Sequence, residues 1–96
     1  MNGALGLIEV LGLTAAMTAL DAALKAADVT FLGSEKVIGV GKAISLTLRV
    51  EGEVAAVQAA VDAASAAAKD VGTVFSARVI ARPDAELKRL WARFQG

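Results

Sequence analysis

From Ala4 to Val10 nearly every position is apolar, with Glu9 the sole charge, and such a run reads as a central strand. Gly12 then permits a tight turn. Between Leu13 and Asp28 the period changes: Leu13, Met17, Leu20, Leu24 and Ala27 recur at spacings of three and four, which predicts a helix with those residues on its buried stripe. Asp21 and Lys25 lie off the centre of that stripe. Val29 to Leu32 reads as a second, short strand ending at Gly33, and Ser34 to Lys42, with Gly39 and Gly41 around Val40, reads as a loop or hairpin tip. The cleanest alternation follows, because Ile44, Leu46, Leu48 and Val50 interleave with Ser45, Thr47 and Arg49, predicting a strand with one dry and one wet face. Glu51 and Gly52 turn the chain into a second helix, with Val54, Val57, Val61, Ala64 and Ala68 on its buried side and Gly72 ending it. Val74 to Ile80 is the last strand. After Pro83, Asp84 to Phe94 reads as a short closing helix with Leu87, Leu90, Trp91 and Phe94 on one side.

The resulting order is βαββαβα, and its halves echo each other. Gly12 before a helix containing Leu20-Asp21-Ala22-Ala23 is matched by Gly52 before one containing Val61-Asp62-Ala63-Ala64. Such a duplication predicts an α+β fold: a ferredoxin-like βαββαβ core, its four-stranded antiparallel sheet covered by helices on one face, plus a short C-terminal helix. Residues 1–96 are expected to form one domain.

Composition changes this picture in one respect. Hydrophobic residues make up 56% of the chain although only 4% are aromatic. A domain this small buries only about two-thirds of its unfolded surface, so part of its apolar surface is expected to meet other subunits. A membrane is the competing outlet, but the longest charge-free run, Val10 to Leu20, falls short of the roughly 18 to 20 residues that span a bilayer. Neither a transmembrane helix nor a secretory signal is expected. Ten basic and ten acidic residues are scattered rather than blocked, which offers no footprint for nucleic acid, and a net charge of zero weakens self-repulsion.

Candidate chemistry is scarce. The chain has no His, Cys or Tyr, so the usual general base, thiolate nucleophile and phenolic acid are missing. Glu9, Glu35, Glu51 and Glu53 have no acid/base or metal-ligand spacing, and Gly41-Lys42 fails as a phosphate-binding loop because Ala43 replaces the hydroxyl residue. No catalytic residue, metal or cofactor is assigned, and an enzyme is not expected.

The chain resembles the single-domain, hexamer-forming shell proteins of bacterial microcompartments, the BMC domain family. The resemblance rests on Ala4-Leu5-Gly6-Leu7-Ile8-Glu9, Gly12-Leu13, Asp21-Ala22, Lys25-Ala26-Ala27, Gly33 followed by Glu35-Lys36, Ile38-Gly39-Val40-Gly41, Gly52-Glu53-Val54-Ala55-Ala56-Val57 and Val79-Ile80-Ala81-Arg82-Pro83. It covers nearly the whole chain in one linear order, unlike the circularly permuted variants, and the length suits a single domain rather than tandem-domain trimers. The resemblance implies a flat six-fold ring that tiles edge to edge, in the bacterial cytoplasm, into a shell enclosing enzymes, with a metabolite pore on each axis. Lys25 matches the family's hexamer edge lysine, and Arg82 the arginine that helps lock the same edge. On the residues alone, Lys25 is a helix-surface lysine four positions from Asp21, and Arg82 an ordinary arginine after a strand.

The same resemblance places Ile38, Gly39, Val40 and Gly41 in the pore loop. Val40 departs from the family's small polar residue there, and the region from Lys36 to Gly52 is several residues longer than the usual pattern. Valine on the axis disfavours charged solutes by desolvation, while Lys36 and Lys42 near the mouth attract anionic metabolites; solvated hairpin charges are the equal alternative for both lysines. Leu87, Leu90, Trp91 and Phe94 read first as a stripe packed on their own protein, and as a docking surface for targeting helices of cargo enzymes if the family theme applies. Partners are thus copies of the chain, other microcompartment shell proteins, encapsulated enzymes and small metabolites, with no nucleic acid and no membrane. A different class stays open: a small oligomeric ferredoxin-like regulatory module binding an anionic effector near Lys42.

Overall fold

The computed structural model describes residues 3–39, 44–81 and 89–90. Its elements run β1 (Ala4–Leu11), α1 (Leu13–Ala26), β2 (Thr30–Ile38), β3 (Ile44–Gly52), α2 (Val54–Lys69) and β4 (Thr73–Ile80). The strands form one antiparallel sheet in the order β2-β3-β1-β4, which puts the first strand of each half in the centre and the last at an edge. This is the ferredoxin-like βαββαβ core that the duplicated pattern predicts. Arg89 and Leu90 are helical, while the rest of the proposed closing helix, including Leu87, Trp91 and Phe94, lies outside the described residues.

Both helices pack on one face of the sheet, α1 over β3 and β1 and α2 over β1 and β4. Ile8 and Val10 of β1, and Leu46, Leu48 and Val50 of β3, turn into the core beneath them. Between sheet and helices the small residues decide the spacing. A Cβ built on Gly6 would sit 2.8 Å from Val61 Cγ2 and 2.9 Å from both Val50 Cγ2 and Val57 Cγ1, so α2 rests directly on the backbone of β1. The two helices meet through alanines: Ala15, Ala16, Ala19 and Ala23 of α1, and Ala60, Ala64 and Ala68 of α2, are all buried.

The buried face of α1 differs from the one its large residues predict. Leu13, Met17 and Leu24 are 61%, 59% and 46% exposed, and only Leu20 and Ala27 of the expected stripe pack against the core, both partly buried. A close helix pair has no room for leucine, so the alanine face turns inward and the leucine face is left outside. In α2 the expected side is buried except at Val54, which lies exposed in the first turn.

The second strand also departs from expectation. Gly33 has φ 126° and marks a register shift in the β2–β3 pairing, but the strand continues past it. Glu35, Lys36, Val37 and Ile38 pair with Thr47, Leu46, Ser45 and Ile44, so the hairpin arm holds residues that read as loop. The wet face of β3 is not wet throughout, because Arg49 is only 1% exposed. Its Nη2 lies 3.3 Å from where a Gly33 Cβ would be, so the bulge glycine leaves space beside the guanidinium.

Candidate functional site

Among the described residues, Lys25 and the hairpin residues Lys36, Ile38 and Gly39 fall at opposite ends of α1. Gly12, at φ 94°, precedes the helix, and its N–H donates to the Ile44 carbonyl across 2.7 Å. That bond pins the start of α1 to the base of the β2–β3 hairpin. Fourteen residues make up the helix, and Lys25 lies in its last turn, where a cation is favoured by the helix dipole. Lys25 Nζ is 3.0 Å from Asp21 Oδ2, with side chains 76% and 64% exposed. In that much solvent the pair contributes at most about 0.5 kcal/mol, so it orients the lysine more than it stabilises the fold.

At the hairpin end, Ile38 and Ile44 form the last pair of the ladder and stand 63% and 36% exposed. Gly39 follows, also exposed. Lys36 pairs with Leu46 and therefore points to the helix side of β2, whereas Glu35 and Val37, paired with Thr47 and Ser45, point to the other. Val40, Gly41 and Lys42 of the expected pore loop, and Arg82 of the expected edge, lie outside the described residues. Leu90 is exposed beside Arg89.

Two surface features went unread in the sequence. One is the exposed stripe Leu13, Met17 and Leu24, whose spacing reads as a core face. The other is an open cleft of about 430 Å³ lined by Asp28, Thr30, Glu51, Gly52, Glu53 and Ala56, where the start of β2, the end of β3 and the start of α2 converge. Long separation along the chain hides that cluster from any spacing rule. Among the described residues no grouping has the arrangement of a metal site.

This arrangement, an apolar hairpin at one end and an exposed lysine at the other of a flat α/β plate measuring 38 × 28 × 17 Å, suits packing between copies better than it suits chemistry. The BMC domain family model matches residues 4–83. The chain belongs to the BMC domain family. Among relatives of this BMC domain, the bacterial microcompartment shell protein PduA of Citrobacter freundii is 47% identical over 87 residues, covering 91% of this chain and 89% of that protein. The shell protein EutK of Salmonella typhimurium is 49% identical over 94 residues, covering 98% of this chain but 55% of that one. A crystal structure of a microcompartment protein from Desulfitobacterium hafniense superposes with a TM-score of 0.74 at 28% identity, over 96% of this chain and 48% of that chain. The BMC domain thus spans nearly the whole of PduA and about half of the other two.

Proposed function

We propose that this chain is a structural tile of a bacterial microcompartment shell, with residues 1–96 acting as one BMC domain. Six copies form a ring in the bacterial cytoplasm, rings join edge to edge with one another and with other shell proteins, and the sheet encloses enzymes while passing small metabolites through the ring axes. The observation that carries this reading is the family match over residues 4–83 together with relatives that are themselves shell proteins. An enzymatic role is not proposed, since the chain has no histidine, cysteine or tyrosine to work with.

Within this reading Lys25 lies on the ring's outer edge with Arg82, and the hairpin end of Ile38, Gly39, Val40 and Gly41 faces the axis. Lysine suits an edge because its methylene stem covers apolar surface while the ammonium donates to carbonyl oxygens across the seam. Lys36 and Lys42 bring positive charge near the mouth, and Val40 narrows it with an apolar side chain. Leu87, Leu90, Trp91 and Phe94 are a candidate dock for cargo helices.

Native mass spectrometry with electron microscopy tests the reading: six copies that grow into flat sheets are expected. Dimers or trimers that retain an anionic effector would establish the regulatory-module alternative instead. For the axis, Val40→Ser is expected to raise the passage of charged solutes in planar-bilayer flux measurements, because a polar lining lowers the desolvation cost. Unchanged flux would remove Val40 as the constriction.

A further inference from the structure

The face of the sheet turned away from the helices is not uniformly open. Leu48 and Val50 enter the core, so Arg49 between them points to the other side, and its ladder partner Leu7 points there with it. Arg49 is 1% exposed. Leu5, next on that side of β1, is 6% exposed, yet it has no place in the cluster between sheet and helices. Its partner in β4 is Ile80, and Leu7 and Ile80 are half-buried. At the hairpin end of the same face Glu35 and Val37 stand exposed. A second buried patch therefore occupies this face, confined to the end where β4 finishes.

Something covers it. Both helices pack on the opposite side, and Gly33, the partner of Arg49 in β2, has no side chain to offer. The burial is present in a single copy, so the cover belongs to that same copy. Residues 1–2 lie beyond the Ala4–Gly52 pair, and two residues, spanning about 7 Å, are too few to return to Arg49. Residues 40–43 belong to the hairpin end, beyond Ile44 and far from the patch. Only the chain after Ala81 starts at the patch, and it runs 15 residues to Gly96, with Arg89 and Leu90 helical.

Its chemistry suits the place. Leu87, Trp91 and Phe94 recur at helical spacing and match the apolar Leu5 and Leu7. A guanidinium withdrawn from water is retained when a charge meets it at short range, and the first carboxylates after β4 are Asp84 and Glu86. Arg49 lies two strands across and two residues along from Ile80, about 12 Å away, and four extended residues reach about 14 Å. Asp84 is thus the first that can arrive. Glu9, Glu35 and Glu51 face the same side, but none is opposite Arg49 in either ladder.

We infer that the chain after Ala81 folds back across the open face of its own sheet, seating Leu87, Trp91 and Phe94 on Leu5 and Leu7 and bringing Asp84, with Glu86 beside it, against Arg49. The seat forms within one copy and does not depend on the ring. Its consequence for the tile is that the closing stripe is occupied at rest, so a cargo helix docks there only by displacing it.

Trp91, the one tryptophan of the chain, reports on the seat. Acrylamide should quench it several-fold more weakly in the folded protein than in urea. Asp84→Asn combined with Glu86→Gln should lower the ratio of seated to free chain by more than about tenfold, raising the quenching towards the urea value while the far-UV circular dichroism keeps its folded form. In Arg49→Met, whose stem fills similar space without a charge, Trp91 should stay protected, and the same two substitutions should then change nothing, the coupling that marks groups in contact. Wild-type quenching equal to that in urea overturns the seat. An equal response to the carboxylate substitutions in both backgrounds, or none in either, overturns the ion pair. Protection that is lost on dilution, once native mass spectrometry shows single copies, puts the cover on a second copy and overturns the intramolecular seat, whereas a wild type that never forms rings overturns only the ring reading.

Discussion

Rings of the Lys25→Ala protein are expected to remain six-membered and to fail to join into sheets. The folded copy loses little, since Lys25 is a solvated side chain whose ion pair with Asp21 contributes a few tenths of a kcal/mol at most. The ring is expected to lose little as well, because Lys25 is in the last turn of α1, at the end opposite the hairpin that the proposed tile turns toward the axis. On the proposed seam, by contrast, each ring edge would lose both the stem and the donors that reach across it, and the loss repeats at every edge of the lattice. Electron micrographs should show isolated rings where the wild type gives sheets, at unchanged mass in native spectrometry. Asp21→Asn is the matched control: it removes the intramolecular partner but keeps the ammonium, so sheets should persist. Sheets of normal extent from Lys25→Ala would take that residue out of the seam.

Gly6→Val should have the largest effect on stability. The first atom added already falls within 2.9 Å of three side-chain methyls from both the sheet and α2, and valine adds two more carbons beyond it. Repacking is limited because Val50, Val57 and Val61 are themselves buried and α2 lies directly on β1. Valine favours a strand over glycine by roughly 1 kcal/mol, which offsets part of the damage. Overpacking costs typically about 1–3 kcal/mol, and with three buried methyls in the way the upper end applies, so a net loss of about 2 kcal/mol is expected. For a domain of this size that is a fall of at least about 8 °C in melting temperature, readable by circular dichroism. A melting curve within a few degrees of wild type would mean that α2 is not seated where the Gly6 contacts put it.

The fold was legible because its two periods alternate cleanly and the halves repeat. What misled was residue size. Leu13, Met17 and Leu24 have the spacing of a core stripe, yet they stand exposed and the alanines beside them go inside, because a closely packed helix pair leaves no room for leucine. Gly39 and Gly41 around Val40 make Ser34 to Lys42 read as a loop, yet the far half of β2 pairs as a strand, since an edge strand with one uncovered face tolerates charges such as Glu35 and Lys36. Arg49 reads as a wet position and is buried, a consequence of tertiary packing that no local window contains. Of the candidate site, Lys25 is named by the family resemblance and lies exposed in the last turn of α1, whereas the cleft between Asp28, Thr30 and Glu53 has no local signal, because its walls come from elements far apart in the chain.

Helix α1 has a further consequence as a rigid rod. It is about 21 Å long, anchored through the Gly12–Ile44 hydrogen bond at one end and carrying Lys25 at the other. In the proposed tile it acts as a spoke: strain applied where neighbouring plates join is delivered to the root of the loop at the hub. In that tile, tension in the wall would bear on the width of the opening.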